Sequence, residues 1–375
     1  MKLPGRCLTA LLLAFLCGAQ DRQTLLVQGS QALQAGDNGS AEKLYRQALE
    51  ADPTSIEILN NLAISLARQN KSTEAISLYK RALTLKPEDL TTSKNLAIAY
   101  FKAQRYSEAW PLLKSLTEKT PDFPTLDLAG LVLFALDRYG EAARYLERAS
   151  QLNSSDLQTL DMLGQAYLRA EDYKSVTRVF ARIMSVSPNS AAAHVMMGMA
   201  YDKTLRSNEA KAEYEEAAKI DVRYPGVHSG LGLLYWKDGD LDAAKANFEA
   251  ELANYPTDPV SNYWLGEIFL RRNEAAKAIA PLKLAVQANP NYKEALFDLG
   301  KAELALDHPA EAVKPLSSAL FIDPDYVQAH YTLGTALRKI GQVAEANREQ
   351  KLAEQIQARQ RAAYSKKLDS TPHQL

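Results

Sequence analysis

The chain has 375 residues, 46% hydrophobic and 8% aromatic, with 44 basic and 45 acidic side chains. That length exceeds what one compact core usually serves, unless the fold grows in one dimension. A net charge of −1 offers no field for nucleic acid, and there is no cation-rich tail or long acidic tract.

In chain order, the first nineteen residues stand apart. MKLPGR carries two positive charges, LTALLLAFL is an apolar run, and CGAQ supplies small residues at Cys17 and Ala19. This is the layout of a secretory signal with cleavage expected after Ala19 (residues 1–19), and the apolar run is shorter than the roughly 20 residues a bilayer needs. The expected product is exported, periplasmic or secreted. The alternative makes Cys17 the lipid-bearing first residue of a lipoprotein, although Phe15 and Leu16 are bulky where that pattern wants small residues. Both cysteines, Cys7 and Cys17, lie in this segment, so a chain cut after Ala19 has no thiol chemistry.

The rest is periodic. Gly29, Ala63, Ala97, Gly130, Gly164, Gly198, Gly232, Gly266, Gly300 and Gly334 follow one another at intervals of 34, with one of 33. Twelve residues after each stands Ala41, Ala75, Ala109, Ala142, Val176, Ala210, Ala244, Ala278, Ala312 or Ala346. Pro53, Pro87, Pro121, Pro188, Pro256, Pro290 and Pro324 close most units. Inside a unit the spacing is helical: Leu160, Leu163, Gly164 and Tyr167 share one face, and Val176, Phe180 and Ile183 another. Two helices of about a dozen residues and two short turns fill such a unit. The small residue lets the second helix approach closely, and the proline stops the second helix by losing its N–H and crowding the residue before it.

Leu/Gly/Tyr in the first helix, Ala/aromatic/Ala in the second and a closing Pro resemble the tetratricopeptide repeat family. The resemblance implies an all-α fold, a right-handed α-solenoid of about ten helix-turn-helix repeats. The repeats are expected at about 22–55, 56–89, 90–122, 123–156, 157–190, 191–224, 225–258, 259–292, 293–326 and 327–355, and a capping extension and tail at 356–375. Four departures stand out. Glu303 replaces an aromatic and Pro309 sits in the turn of the ninth unit; Val222 replaces proline in the sixth, where Tyr224-Pro225-Gly226 takes over the stop; and the fourth lacks one residue near Phe123-Pro124. Gln350 stands where other units carry Tyr, Phe or Leu, as suits a last helix with a solvent-facing side.

Function in such a fold sits on surface that packing leaves free. Positions two, five, nine, twelve and thirteen of each unit lie opposite the first-helix core positions, and in the family they line the concave groove. Here they include Ile64, Ile98, Phe101, Leu131, Phe134, Leu168, Val195, Met199, Leu233, Trp236, Tyr263, Leu270, Phe297, Leu304 and Tyr331. Each can serve packing between neighbouring helices or binding, and Trp236, Tyr263, Phe297 and Tyr331 offer a ring in four consecutive units. With Phe101 and Phe134 they form the expected partner-binding groove. Arg68, Lys102, Arg169, Lys203, Lys237, Arg271 and Lys339 share position thirteen; they read first as helix-end cations offsetting the dipole, second as a rail for an acidic peptide.

No catalytic, cofactor or metal site is expected. His194, His228 and His330 occupy a core position and read as packed structural histidines, while His308 lies in a turn and His373 in the tail. GDNGS at Gly36 lacks the Lys-Ser/Thr of a phosphate loop. The expected function is a non-enzymatic, extracytoplasmic scaffold that holds a peptide or helix of a partner protein in its groove, with no nucleic acid and no membrane span. The alternative is an accessory glycan-binding or assembly subunit of a cell-envelope or polysaccharide complex.

Overall fold

The computed structural model describes residues 22–369, and side chains to residue 363. The expected signal segment with Cys7 and Cys17, and the tail with His373, lie outside the described residues. Among the described residues every regular element is a helix. They are α1 (22–34), α2 (Asn38–Ala51), α3 (Ile56–Arg68), α4 (Ser72–Leu85), α5 (Leu90–Lys102), α6 (Tyr106–Lys119), α7 (Phe123–Ala135), α8 (Tyr139–Leu152), α9 (Leu157–Arg169) and α10 (Tyr173–Val186). They continue as α11 (Ala191–Lys203), α12 (Ser207–Ile220), α13 (Val227–Lys237), α14 (Leu241–Asn254), α15 (Pro259–Arg271), α16 (Ala275–Ala288), α17 (Lys293–Ala305), α18 (Pro309–Ile322), α19 (Val327–Lys339) and α20 (Val343–Asp369).

Two units divide after Pro188, the N-terminal one holding α1–α10 and the C-terminal one α11–α20. Each unit is a row of helix hairpins. In each row every helix packs on its chain neighbours, and first helices also touch the first helix of the next hairpin, as α3 does α5 and α15 does α17. No such contact joins second helices among the described residues. Each row therefore bends with its first helices, the odd-numbered ones, on the inside.

The repeat glycines explain that packing. A β-carbon on Gly130 would stand 2.4 Å from Leu146 Cγ, on Gly266 2.5 Å from Leu282 Cγ, on Gly232 2.7 Å from the Phe248 ring, and on Gly198 2.9 Å from the Tyr214 ring. In each case a large side chain of the second helix, sixteen residues on, presses against bare backbone of the first. The Ala/Val series twelve residues after the glycine is fully buried throughout. Burying one such Leu or Phe is worth about 1.5–3 kcal/mol, obtained here once per hairpin.

The turns repeat as strictly. The N–H of Lys71 donates to the Leu66 carbonyl, that of Arg138 to Leu133 and that of Glu274 to Phe269, each within 3.0 Å. This is the wide bond of a Schellman stop, and it places the residue between in the left-handed region. Those residues are Gly36, Asn70, Gln104, Asp137, Glu171, Leu205, Gly239, Asn273, Asp307 and Gly341. Second helices end two residues before their proline, as Ala51 does before Pro53 and Ile322 before Pro324. The residue missing from the fourth unit is absorbed in the three-residue link between α6 and α7. At Gly226, φ is 88° and α13 is a short 11 residues; Glu251 of α14 caps it by accepting from the Gly226 and Ser229 N–H groups.

Three prolines, Pro111, Pro281 and Pro315, lie inside second helices, which continue through them. Phe321 is 89% exposed on α18, and nothing in the structure explains an aromatic where other units carry residues such as Thr84 or Lys219. The final helix buries Ala346, Ala353 and Ile356, and Gln350, at the place where other units bury Tyr, Phe or Leu, stays exposed because no further hairpin covers it.

Gly130→Ala should destabilise the N-terminal unit by about 1–3 kcal/mol in urea denaturation, since overpacking against Leu146 outweighs the helix propensity gained. Gly334→Ala, with only the Ala346 carbonyl oxygen at 3.2 Å, should cost far less. Leu205, 88% exposed at φ 60°, has no packing to lose, so Leu205→Gly should raise the melting temperature, a gain of about 1 kcal/mol or less.

Candidate functional site

The inner face of the N-terminal row is apolar but half-buried. Ile64, Ile98, Phe101, Leu131, Phe134 and Leu168 all keep partial exposure. Phe101 leans on Tyr106 with ring centroids 5.8 Å apart, and Phe134 on Tyr139 at 5.2 Å. These rings brace the turn that follows their own helix. An open pocket of about 290 Å³ lies between α3 and α5, lined by Ile64, Arg68, Asn95, Ile98 and Lys102. Further along, burial raises the carboxyls of Asp127 and Asp161 above the ordinary range, against the hydrogen bonds that Thr159 and Gln165 donate to them.

Three of the seven position-thirteen cations reach the preceding repeat, and Arg271 pairs with Glu267 of its own helix. Arg68 donates to the Leu33 carbonyl at 2.8 Å, Lys237 pairs with Asp202, and Lys339 pairs with Asp307 at 2.7 Å. Those three sit at helix ends, where a cation offsets the dipole, and tie their hairpin to the one before.

The C-terminal row carries the richer surface. Of its expected groove residues, Val195 is buried, Leu233, Trp236, Leu270, Phe297 and Leu304 are half-buried, and only Met199 (43%) and Tyr331 (38%) are exposed. Tyr263 is 9% exposed; its ring is spent on Trp264 at 5.0 Å and Tyr292 at 4.8 Å. Trp236 packs on Trp264 at 4.3 Å and donates its indole N–H to Glu267 at 2.9 Å. Phe297 stacks on Tyr326 at 5.0 Å. Of the four rings offered by consecutive units for packing or binding, Trp236, Tyr263 and Phe297 thus join a wider aromatic wall that includes Trp264, Tyr292 and Tyr326.

Those three were missed, although two left a trace. Six other first helices begin behind a capping side chain: Ser55, Asp89, Asp122, Asp156, Ser190 and Asp258 each accept from the N–H three residues on. At α17 and α19 that place is held by Tyr292 and Tyr326, which make no cap bond. Losing a cap costs about 1 kcal/mol. The rings instead reach the inner face.

Carboxylates sit among the rings. Asp298 on α17 is 7% exposed, and burial lifts its pKa to about 6, opposed by Lys301 and assisted by the charge of Glu267. The Tyr263 hydroxyl is its hydrogen-bonding neighbour. Burial and the nearby Asp298 and Glu294 charges push the Tyr326 phenol up to about 12, and burial and the same two acids raise Tyr263 and Tyr292 further.

The histidines serve structure. His194 Nδ1 lies 2.7 Å from Glu213 and His228 Nδ1 3.1 Å from Asn247, each bridging first to second helix. His330, buried, lies 2.6 Å from Glu349 through Nδ1 and 3.0 Å from the Pro324 carbonyl through Nε2. Glu303, in place of an aromatic, is buried with Lys283 at 3.3 Å and His308 at 3.1 Å. Among the described residues no cluster of three potential metal ligands occurs, and no helix is long and apolar enough to cross a membrane.

Tetratricopeptide repeat profiles match residues 26–90, 195–259, 229–293 and 297–360, and a second profile of the same description matches 66–129. The chain belongs to the tetratricopeptide repeat family. No curated protein matches it. Among solved structures, the crystal structure of the APC/C hetero-tetramer Cut9-Hcn1 is similar at TM-score 0.54 and 14% identity, over 80% of this chain and 59% of that chain. This protein thus spans rather more than half of that neighbour's length, and at such identity the likeness is one of fold. MamA from Desulfovibrio magneticus RS-1 aligns at TM-score 0.43 and 19% identity over 45% of this chain and 97% of its own. The tetratricopeptide repeat fold suggests a protein-interaction scaffold.

Asp298 provides a check on the wall's electrostatics. Its folded pKa lies above its unfolded one, so the buried charge costs stability above pH 6, and the cost is relieved as pH falls from about 6 towards 4. Asp298→Asn should therefore raise stability at pH 7.5 by up to about 2 kcal/mol. The gain should shrink at pH 4.5, as read by thermal unfolding at both pH values.

Proposed function

We propose that this tetratricopeptide repeat protein is a non-enzymatic, extracytoplasmic scaffold that holds a segment of a partner protein along its first-helix face. Ten repeats over 22–355 consume nearly the whole chain, which leaves that face as the surface for function. The observation that carries the reading is the apolar, aromatic floor of the face in both units, half-open in Phe101, Phe134, Trp236 and Phe297 and open in Tyr331. Half-exposed rings with few rotamers are what a bound segment uses as anchors. Export rests on the charged, apolar and small-residue layout of residues 1–19, with the lipid anchor at Cys17 as its variant.

Glycan binding is the weaker reading. Sugars need free ring faces, and here Trp236, Tyr263 and Phe297 are turned against Trp264, Tyr292 and Tyr326.

The triple variant Trp236→Ala, Phe297→Ala, Tyr331→Ala, checked for native helicity by circular dichroism, should lose its cross-linked protein partners in intact cells by at least about tenfold. Recovery of the same partners at the same yield would sink the groove reading. Intact mass of the cell-derived protein should place the N-terminus after Ala19, or show an acylated Cys17.

A further inference from the structure

We propose that the open pocket between α3 and α5, on the inner face of the N-terminal unit, takes a carboxylate of the partner segment onto Lys102 and Arg68. The proposal rests on the groove reading above and names the chemistry that this stretch of the groove accepts.

The repeat itself shows which group is missing there. Lys237, at position thirteen of its unit, finds its counter-ion in Asp202, 35 residues earlier on the preceding first helix. Lys102 holds the same position, and the residue in the place of that aspartate is Ala67. The short side chain leaves room. Ala67 and Lys102 both line the pocket, whose volume of about 290 Å³ is roughly that of ten waters in the liquid. Neither helix replaces the lost acid: α5 carries no acidic residue, and α3 has only Glu57, at the other end from Arg68. Among the described residues the Lys102 ammonium has no ion pair or hydrogen bond, and Arg68 uses a single N–H, on the Leu33 carbonyl.

Two neutral groups complete the site. Asn95 lines the pocket half-buried, and among the described residues its side-chain amide has no partner. Tyr79 of α4 lines it too, although it is only 2% exposed. Burial pushes its phenol up, and no hydrogen bond among the described residues satisfies its hydroxyl. A buried hydroxyl left unpaired lowers stability, and a carboxylate oxygen is the acceptor it lacks. Ile64 and Ile98 give the stem of an acidic side chain apolar walls. Charge complementarity then chooses the occupant. A basic segment would meet Arg68 and Lys102 as like charges, and a neutral one would cover them without a counter-ion.

The test uses the full chain and labelled peptides of equal length and apolar content, followed by fluorescence anisotropy. They bear glutamate, glutamine or lysine at one internal position and are amidated at the C-terminus. The glutamate peptide should bind at least about fivefold more tightly than the other two, and lose that advantage as salt rises. A glutamine peptide with a free C-terminus separates the two sources of a carboxylate: a gain over its amide assigns the pocket to a chain end, and no gain assigns it to a side chain. Ala67→Asp, which copies the Asp202 arrangement, should pair with Lys102 from within and remove the carboxylate advantage while the amidated glutamine peptide binds as before. Lys102→Gln, at an exposed side chain, should do the same, and it repeats the test if circular dichroism shows that Ala67→Asp is not native. The proposal is overturned if neither carboxylate improves on the amidated glutamine peptide, or if a folded variant keeps the parent's preference. Should all the peptides bind alike and all be lost in the Trp236, Phe297 and Tyr331 triple variant, the groove reading stands and the carboxylate preference alone falls.

Discussion

Most hairpins of this protein depend on a large side chain meeting bare backbone, with Ala63 and Ala97 the small residue in two others. Leu146 against Gly130, Phe248 against Gly232 and Leu316 against Gly300 bring the two helices of a hairpin to a separation that a single β-carbon would prevent. Close-packed interiors do not stretch to absorb such a clash. The contact fixes the crossing of each hairpin. The buried Ala/Val series sets its depth, and the Schellman turn with its left-handed residue aims the second helix back along the first. Repetition then turns one local solution into a row.

Once the row exists, its two faces have different duties. Second helices stay apart on the outside, and first helices crowd on the inside. A ring on the inner face is therefore shared between packing on a neighbour and facing solvent. Tyr263 has gone wholly to packing, Trp236 and Phe297 are divided, and Tyr331 remains open. The polar residues follow the same logic. Lys237 and Lys339 are matched by carboxylates of the preceding repeat and the core histidines by partners on the next helix, whereas Asp298 keeps a charge that its surroundings resist.

Departures from the repeat are repaired locally. Where Val222 and Gly226 interrupt the pattern, Glu251 reaches over from α14 to cap the shortened α13. Where Glu303 takes an aromatic place, Lys283 and His308 close around it. The row tolerates these because each hairpin answers only to its neighbours.

Helix pairing, the turn positions, the close approach at the glycines and the covering last helix were all legible in the sequence. They depend on contacts within one unit, and the 34-residue period prints the same contact ten times. The inner face was legible in part: position along a helix tells which way Trp236 or Phe297 points, but not how much of it a neighbouring hairpin covers. Tertiary structure alone decided that the rings of Tyr263 and Tyr292 meet, since they belong to different repeats and the distance between them is set by how one hairpin leans on the next. It alone brought Asp298 of α17 beside Tyr263 of α15. A periodic sequence specifies its repeating contact, while the environment of a side chain between repeats depends on their relative tilt, which no single repeat encodes.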